Sequence, residues 1–197
     1  MKLEDRIAQW INLGVVPYNY AHEIQEMLVD LRKKDMVPDT ILSLQHLPEV
    51  NFGTDTKNNQ FSDMFIEEVK RIKGPNYSPD DIVDVLKERG ISFSSSSRGG
   101  GATVFSPGQL VYYLIVDTKK MNGKDLDIAD YKNRIYRTLF ESLVSFGING
   151  INVSSDQSYT TRRDRKDVWI QRNGKSVKLG SKGLKFSSGI AYHGFCL

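Results

Sequence analysis

The chain has 197 residues, of which 39% are hydrophobic, and its net charge is only +3. These values exclude a wholly disordered chain and predict a single folded domain over residues 1–197. No apolar run reaches the roughly 18 residues that a membrane span requires, and acids stand among the bases at the N-terminus, so we expect a soluble, cytoplasmic protein without a leader peptide or a membrane partner.

The first half of the chain predicts helices and short strands. Apolar residues at spacings of three and four predict a helix over residues 19–34. The short apolar run at residues 41–46 predicts a strand, and residues 65–73 predict a short helix. Ser78 followed by Pro79 is typical of an N-cap and a first helical turn, so a further helix is expected to begin there.

The second half predicts a buried strand, one long helix and hairpins. The run LVYYLIV at residues 110–116 is continuously apolar, which is typical of a strand covered on both faces. Residues 127–146 carry one apolar stripe and predict the best-defined helix of the chain. Asn173-Gly174 predicts a type I′ hairpin turn, and residues 190–197 predict a last strand. This order predicts an α/β or α+β fold with a mixed sheet and packed helices.

A glycine-rich segment begins at Arg98, and its three successive glycines let a ligand approach the main chain closely. The longer stretch RGGGATVFSPGQLVYYLI resembles the signature RGGxxTYHGPGQ of lipoyl (octanoyl) transferases. ILSLQHLPEVNFG resembles the LEHxPVxTxG segment of that family, DVWIQRNGKSVKLGSKG its GVWV hairpin and KIxxxG motif, and GIAYHGFCL its HGxALN strand. The four segments occur in the family's order, and the resemblance extends over residues 18–197.

The resemblance implies the fold of lipoate and biotin protein ligases, a mixed sheet with packed helices and a tunnel for an acyl chain. It implies an acyltransferase of lipoate biosynthesis, which moves an octanoyl or lipoyl group from acyl carrier protein to a lysine of a lipoyl domain through an enzyme thioester. The lipoyl domains would be those of 2-oxoacid dehydrogenases or of the glycine-cleavage protein. No cofactor is implied.

The resemblance also assigns residues to the site. Those implied to bind the acyl group are Arg98, Gly99, Gly100, Gly101, Ala102, Thr103, Val104, Phe105, Ser181, Lys182, Gly183, Gly194, Phe195 and Cys196. Lys178 matches the lysine of the KIxxxG motif and is implied to lower the pKa of the reactive cysteine thiol. Alternation along a strand would then place Lys178 on the ligand face, with Val177 and Leu179 turned toward the core.

The chain departs from the family pattern at several positions. The nucleophilic cysteine of the family follows the HGxALN strand, so we expect it beyond Leu197, in a C-terminal part that the chain lacks. Cys196 replaces the alanine of that motif and is not expected to be the nucleophile. Phe105 replaces the histidine of TYHGPGQ. His46 and His193 are predicted to be structural, with His193 held by hydrogen bonds.

Two other functions stay open. One is an ATP-dependent lipoate–protein ligase, whose GGGAVFH segment GGGATVF also resembles, although the PGQ and HLPEV flanks favour the transferase. The other is a catalytically inactive module that binds an acyl group or a carrier protein, which applies if the natural chain ends at Leu197. The three histidines and one cysteine stand at no ligand spacing, so no metal site is predicted. The basic segment 161–167 lacks interleaved aromatic residues, so no nucleic-acid partner is predicted.

Overall fold

Two β-sheets and four helices make up the described part of the chain. The computed structural model describes residues 7–54, 61, 63–119, 128–148, 151–152 and 167–197. In chain order the elements are β1 Ala8–Val16, α1 Tyr18–Lys33, β2 Asp39–His46, β3 Glu49–Phe52, α2 Asp63–Lys73, α3 Pro79–Glu88, β4 Ser92–Ser95, β5 Thr103–Phe105, β6 Val111–Asp117, α4 Ile128–Ser145, β7 Ile151–Asn152, β8 Asp167–Arg172, β9 Lys175–Ser187 and β10 Ile190–Cys196. The basic segment named above lies, up to residue 166, outside the described residues.

Both sheets are mixed. The larger sheet has seven strands in the order β1-β2-β6-β10-β9-β8-β7, in which only β1 and β2 are parallel neighbours. The smaller sheet has the order β4-β3-β5, in which β3 runs parallel to β4 and antiparallel to β5. The predicted α/β fold with a mixed sheet and packed helices is therefore confirmed.

Helices cover both faces of the large sheet. Strand β6 alternates between more and less buried residues, and its Val111, Tyr113 and Ile115 join a core cluster with α1. The buried residues of that cluster are Tyr18, Ala21, Leu28, Val29, Leu42, Leu44, Phe105, Val111, Tyr113, Ile115, Ile190, Tyr192 and Cys196. Val116 points to the other face, where it packs with Tyr131 of α4. We call these two faces the α1 side and the α4 side.

The helix bounds predicted from the sequence agree closely with the observed bounds. Observed α1 and α4 begin and end within one residue of the predicted bounds. Helix α3 begins as expected, because the Ser78 side chain accepts from the Asp81 amide while the Ser78 amide donates to the Asp81 carboxylate at 2.7 Å. Strand β9 is longer than predicted and continues to a turn at residues 188–189, which connects it directly to β10.

Two further properties concern the described residues alone. None of their helices combines the length and the apolar character that a membrane crossing requires. The same residues contain no group of three or more His, Cys, Asp or Glu side chains arranged to hold a metal ion.

Candidate functional site

Arg98 holds the glycine loop (residues 98–101) against β3. Its Nε donates to Asn51 Oδ1 at 2.7 Å, and its Nη2 donates to Asn51 O at 2.6 Å. Ser96 Oγ donates to the same Asn51 Oδ1 at 3.0 Å, and Asn51 Nδ2 donates to Ser94 Oγ at 3.0 Å. Arg98 is 7% exposed, and burial lowers the pKa of its guanidinium. The loop is thus fixed by buried, charge-assisted hydrogen bonds.

The main chain of the glycine loop packs directly against the main chain of both sheets. The Gly99 amide donates to Leu184 O at 3.3 Å, which ties the loop to β9. A Cβ added at Gly183 of β9 would lie 2.9 Å from Gly99 O, and one added at Gly53 would overlap Gly100 O. Only glycine fits at these positions without displacing the loop.

Strands β9 and β10 bring two more predicted segments beside the loop. Gly194 pairs with Gly183, and Cys196 pairs with Ser181. Ser181 Oγ lies 3.4 Å from Cys196 Sγ, and Cys196 is 7% exposed within the core cluster of the α1 side. Since residues two apart on a strand share a face, Ser181, Gly183, Gly194 and Cys196 face the α1 side, where Gly183 contacts the loop.

The side chains of Lys182 and Phe195 lie on the opposite, α4 side. Lys182 Nζ is 5.1 Å from the centroid of the Tyr136 ring of α4, a cation–π contact. Phe195 stacks on Tyr112 with 5.2 Å between ring centroids and packs in the cluster beneath α4. Only the main chain of these two predicted residues can therefore contribute to a site on the α1 side.

Strand β5 contributes one aromatic ring to the α1 side. Phe105 stacks on Tyr18 with 5.7 Å between ring centroids and meets His46 edge-on at 4.9 Å. Val104 points the other way and is 60% exposed, and Ala102 joins the loop to β5. Phe105 therefore extends an aromatic wall beside the glycine loop.

His46 is a structural histidine, as predicted. Its Nε2 lies 2.8 Å from Tyr113 Oη, and its Nδ1 lies 3.2 Å from Val16 O. Burial lowers the pKa of His46 to about 4, so its ring is neutral at pH 7 and one of its nitrogens carries the proton.

His193 differs from the prediction. Both of its ring nitrogens are buried without a hydrogen-bond partner among the described residues, so the expected hydrogen bonds are wrong. The reason is that Gln25 of α1 accepts from the main-chain amide of His193 at 2.5 Å, while the imidazole stacks on Tyr192 at 5.0 Å between centroids. Its φ of 59° is unusual for a residue other than glycine. Burial, aided by nearby cations, lowers the pKa of His193 to about 3.

Lys178 lies in the exposed part of the β8–β9 hairpin, paired with Trp169. A β-bulge follows, and the flanking Val168 and Leu179 pack in the cluster beneath α4. Strand alternation therefore turns Lys178 to the α1 side. Val177 is 42% exposed, so the prediction that it faces the core is wrong. The hairpin end at residues 173–175 is exposed as well, so this part of β9 extends beyond the core.

Several residues of this region were missed in the sequence. Tyr18 and Gln25 stand seven residues apart on α1, and both are buried on the face that the apolar periodicity had indicated. A polar Gln25 within that stripe was the available signal. Asn51 carried no such signal, because its partner Arg98 is 47 residues away.

Comparison with known proteins decides the family. Residues 17–197 match the family model of the lipoyl protein ligase A/B catalytic domain. The chain belongs to this family. An octanoyltransferase of Koribacter versatilis is 32% identical over 190 residues, covering 96% of this chain and 64% of the relative. An octanoyltransferase of Syntrophobacter fumaroxidans is 30% identical over 194 residues, covering 98% and 69%. The resemblance to octanoyltransferases is thus confirmed, and the chain spans about two thirds of the length of these curated relatives.

Solved structures share the fold. A lipoate-protein ligase A bound with ATP matches with a TM-score of 0.61 at 13% identity, covering 98% of this chain and 66% of that protein. A bipartite lipoate protein ligase from Thermoplasma acidophilum matches with a TM-score of 0.56 at 16% identity, covering 98% and 61%. The lipoate ligase-like fold expected for this family is therefore present.

Proposed function

We propose that this chain is the catalytic part of an octanoyltransferase of lipoate biosynthesis. In the proposed reaction an octanoyl group passes from acyl carrier protein to a cysteine of the enzyme, and then to a lysine of a lipoyl domain. The observation that carries the proposal is the glycine loop, which Arg98 anchors to β3 and whose main chain packs against Gly183 of β9. The octanoyltransferases at 30% and 32% identity support the choice of acyl group.

The first chemical step is a thioester exchange. The cysteine thiolate attacks the carbonyl carbon of the donor thioester, and the carrier's thiol leaves with the electron pair and takes up a proton. The glycine loop lets the donor thioester approach the main chain closely, because three successive positions carry no side chain. The cysteine of this proposal stands C-terminal to β10, where the family pattern has it.

The second step forms the amide. The lysine amine of the acceptor attacks the enzyme thioester, the cysteine leaves as a thiolate, and the amine loses a proton. Lys178 supports both steps, because its ammonium favours the thiolate and so lowers the pKa of the reactive thiol. Its place on the α1 side of the hairpin is the structural support for this role.

The acceptor and the location follow from the same proposal. The archaeal ligase that shares this fold acts with an E2 lipoyl domain, and we extend such an acceptor to this chain, with lipoyl domains of 2-oxoacid dehydrogenases or of the glycine-cleavage protein as candidates. The proposed location is the cytoplasm. An ATP-dependent ligase is the second candidate, because a ligase of this fold was solved with bound ATP.

The test is octanoyl transfer by the full-length gene product, followed by mass spectrometry of a lipoyl domain. Lys178→Ala should slow transfer on the order of 10²-fold and move the pH–rate profile to higher pH, because the thiol then ionises less readily. Lys178→Arg should recover part of the rate, since it keeps the charge but changes reach and shape. Lys175→Ala is the matched control, because Lys175 is an exposed lysine of the same strand, on its other face.

Three outcomes would contradict the proposal. Equal rates for Lys178→Ala and Lys175→Ala would make Lys178 an ordinary surface lysine. Transfer that requires free octanoate and ATP would establish the ligase instead. Failure of the full-length protein to transfer from any octanoyl thioester would favour an inactive binding module.

A further inference from the structure

A cavity of about 280 Å³ lies at the N-terminus of α1, outside the predicted site residues. Its walls include Tyr18, Asn19, Leu47, Glu49, Lys87 and Phe93. It adjoins the acyl site, because the Tyr18 ring stacks on Phe105 and Glu49 pairs with Phe105 between β3 and β5.

Glu49 lines this cavity, and one oxygen of its buried carboxyl group is unsatisfied. The residue is 4% exposed, and its Oε1 has no hydrogen-bond partner among the described residues. Burial raises the pKa of Glu49, an effect that a hydrogen bond from Ser94 partly offsets. Folded proteins seldom leave a buried acceptor unpaired, so this oxygen points to a ligand that supplies an N–H or O–H donor.

Another part of the cavity wall is electropositive. Helix α1 begins after Pro17, which provides no side-chain cap, and its first turn contains no acidic residue. The first-turn amides therefore keep their partial positive charge at the cavity. Lys87, whose side chain is exposed, adds an ammonium group. This wall suits an oxygen acceptor or a negative charge.

We propose that the cavity binds the phosphorylated, amide-containing arm that carries the acyl thioester of the donor, an inference that rests on the proposed transferase function. An octanoyl chain offers no donor to Glu49, so the cavity does not suit the alkyl chain. The secondary amides of the arm supply N–H donors for Glu49 and carbonyl oxygens for the α1 amides. Its phosphate matches Lys87, and its methyl groups match Leu47 and Phe93. The volume is near the lower end of ligand pockets, which suits part of such an arm.

Binding of the free arm to the 197-residue chain is the first test, with 4′-phosphopantetheine and pantetheine as probes in calorimetric titrations. Glu49→Leu should weaken both probes by about 10-fold or more, because their amide donor loses its acceptor. Lys87→Ala should weaken only the phosphorylated probe, by roughly 3- to 10-fold. Lys34→Ala is the matched control, since Lys34 is an exposed lysine at the other end of α1, and it should change neither affinity.

Thermal unfolding separates a ligand-binding role of Glu49 from a structural one. Glu49→Leu removes a buried oxygen without a partner together with the acceptor of the Ser94 hydrogen bond. These two effects oppose each other, so its unfolding temperature should not fall below that of the wild type by more than about 2 °C. Glu49→Gln keeps an acceptor and should recover part of the affinity. A Glu49→Leu protein that unfolds below that limit while Glu49→Gln binds no better would identify a structural role and overturn the proposal.

Rates with donors of different length separate this inference from the proposed function. Wild-type enzyme should prefer octanoyl-4′-phosphopantetheine to octanoyl-N-acetylcysteamine, and Lys87→Ala should reduce that preference. If neither Glu49→Leu nor Lys87→Ala changes the ratio of the transfer rates from the two donors, the arm site is refuted and the transferase function stands. Arm binding that depends on Glu49, without octanoyl transfer from any donor, would support the site and refute the transferase. Binding of a peptide with the acceptor lysine in this cavity, without binding of the arm, would also overturn the arm site.

Discussion

Replacement of Asn51 by alanine should loosen the glycine loop from its support. The Asn51 side chain accepts from Arg98 Nε and from Ser96 Oγ and donates to Ser94 Oγ. Asn51→Ala removes all three of these bonds, whereas the bond from Arg98 Nη2 to the Asn51 carbonyl can persist. The variant therefore leaves a buried guanidinium N–H without its acceptor.

The magnitude follows from the bonds that are lost. A hydrogen bond to a charged group contributes about 1.5–3 kcal/mol, and each neutral one contributes about 1 kcal/mol. The free energy of unfolding should therefore fall by about 3.5–5 kcal/mol. For a domain of this size each kcal/mol corresponds to about 2–4 °C, so the melting temperature should fall by roughly 10 °C.

Thermal unfolding of three variants tests this reasoning. Ser96→Ala loses one neutral bond and should lower the melting temperature by only about 2–4 °C. Asn51→Asp keeps an acceptor for Arg98 and should be less destabilised than Asn51→Ala. If Asn51→Ala melts within about 2 °C of the wild type, or no lower than Ser96→Ala, Arg98 does not depend on Asn51 and the argument fails.

Two further predictions concern acid stability and the fit of the loop. The folded-state pKa values of His46 and His193 lie at about 4 and about 3, below the value of about 6.5 for an unfolded chain. The unfolded state therefore takes up protons first, and stability should fall as pH decreases from about 6.5 toward 4, by up to about 1.4 kcal/mol per pH unit for each histidine. Urea unfolding between pH 7.5 and 4.5 measures this slope, which His193→Gln should reduce; an equal slope in both proteins would contradict the assignment. Gly53→Ala should destabilise the fold by more than about 2 kcal/mol, because its Cβ would overlap the main-chain oxygen of Gly100; unchanged unfolding would show that the loop shifts freely.

Short-range signals in the sequence were sufficient for the helices, the turns and the family. The apolar periodicity of α1 and α4 is a local property, and so are the N-cap Ser78 and the turn at Asn173-Gly174, where both residues have positive φ. The glycine loop and the KIxxxG lysine were recognisable for the same reason, since each motif lies within a few consecutive residues. These features depend on neighbours in the chain, which the sequence displays directly.

Long-range contacts were decided only in the folded protein. Strand β1 was not predicted, because its main chain is held in a strand only by parallel pairing with β2, some 30 positions away. The bulge before Trp169 and the burial of Phe195 determine which side chains face the loop, and both depend on contacts between separate elements. The unpartnered carboxyl oxygen of Glu49 likewise exists only because α1, β3 and β4 meet around one cavity. Burial and hydrogen-bond satisfaction are properties of that assembly, so residue type and spacing alone could not reveal them.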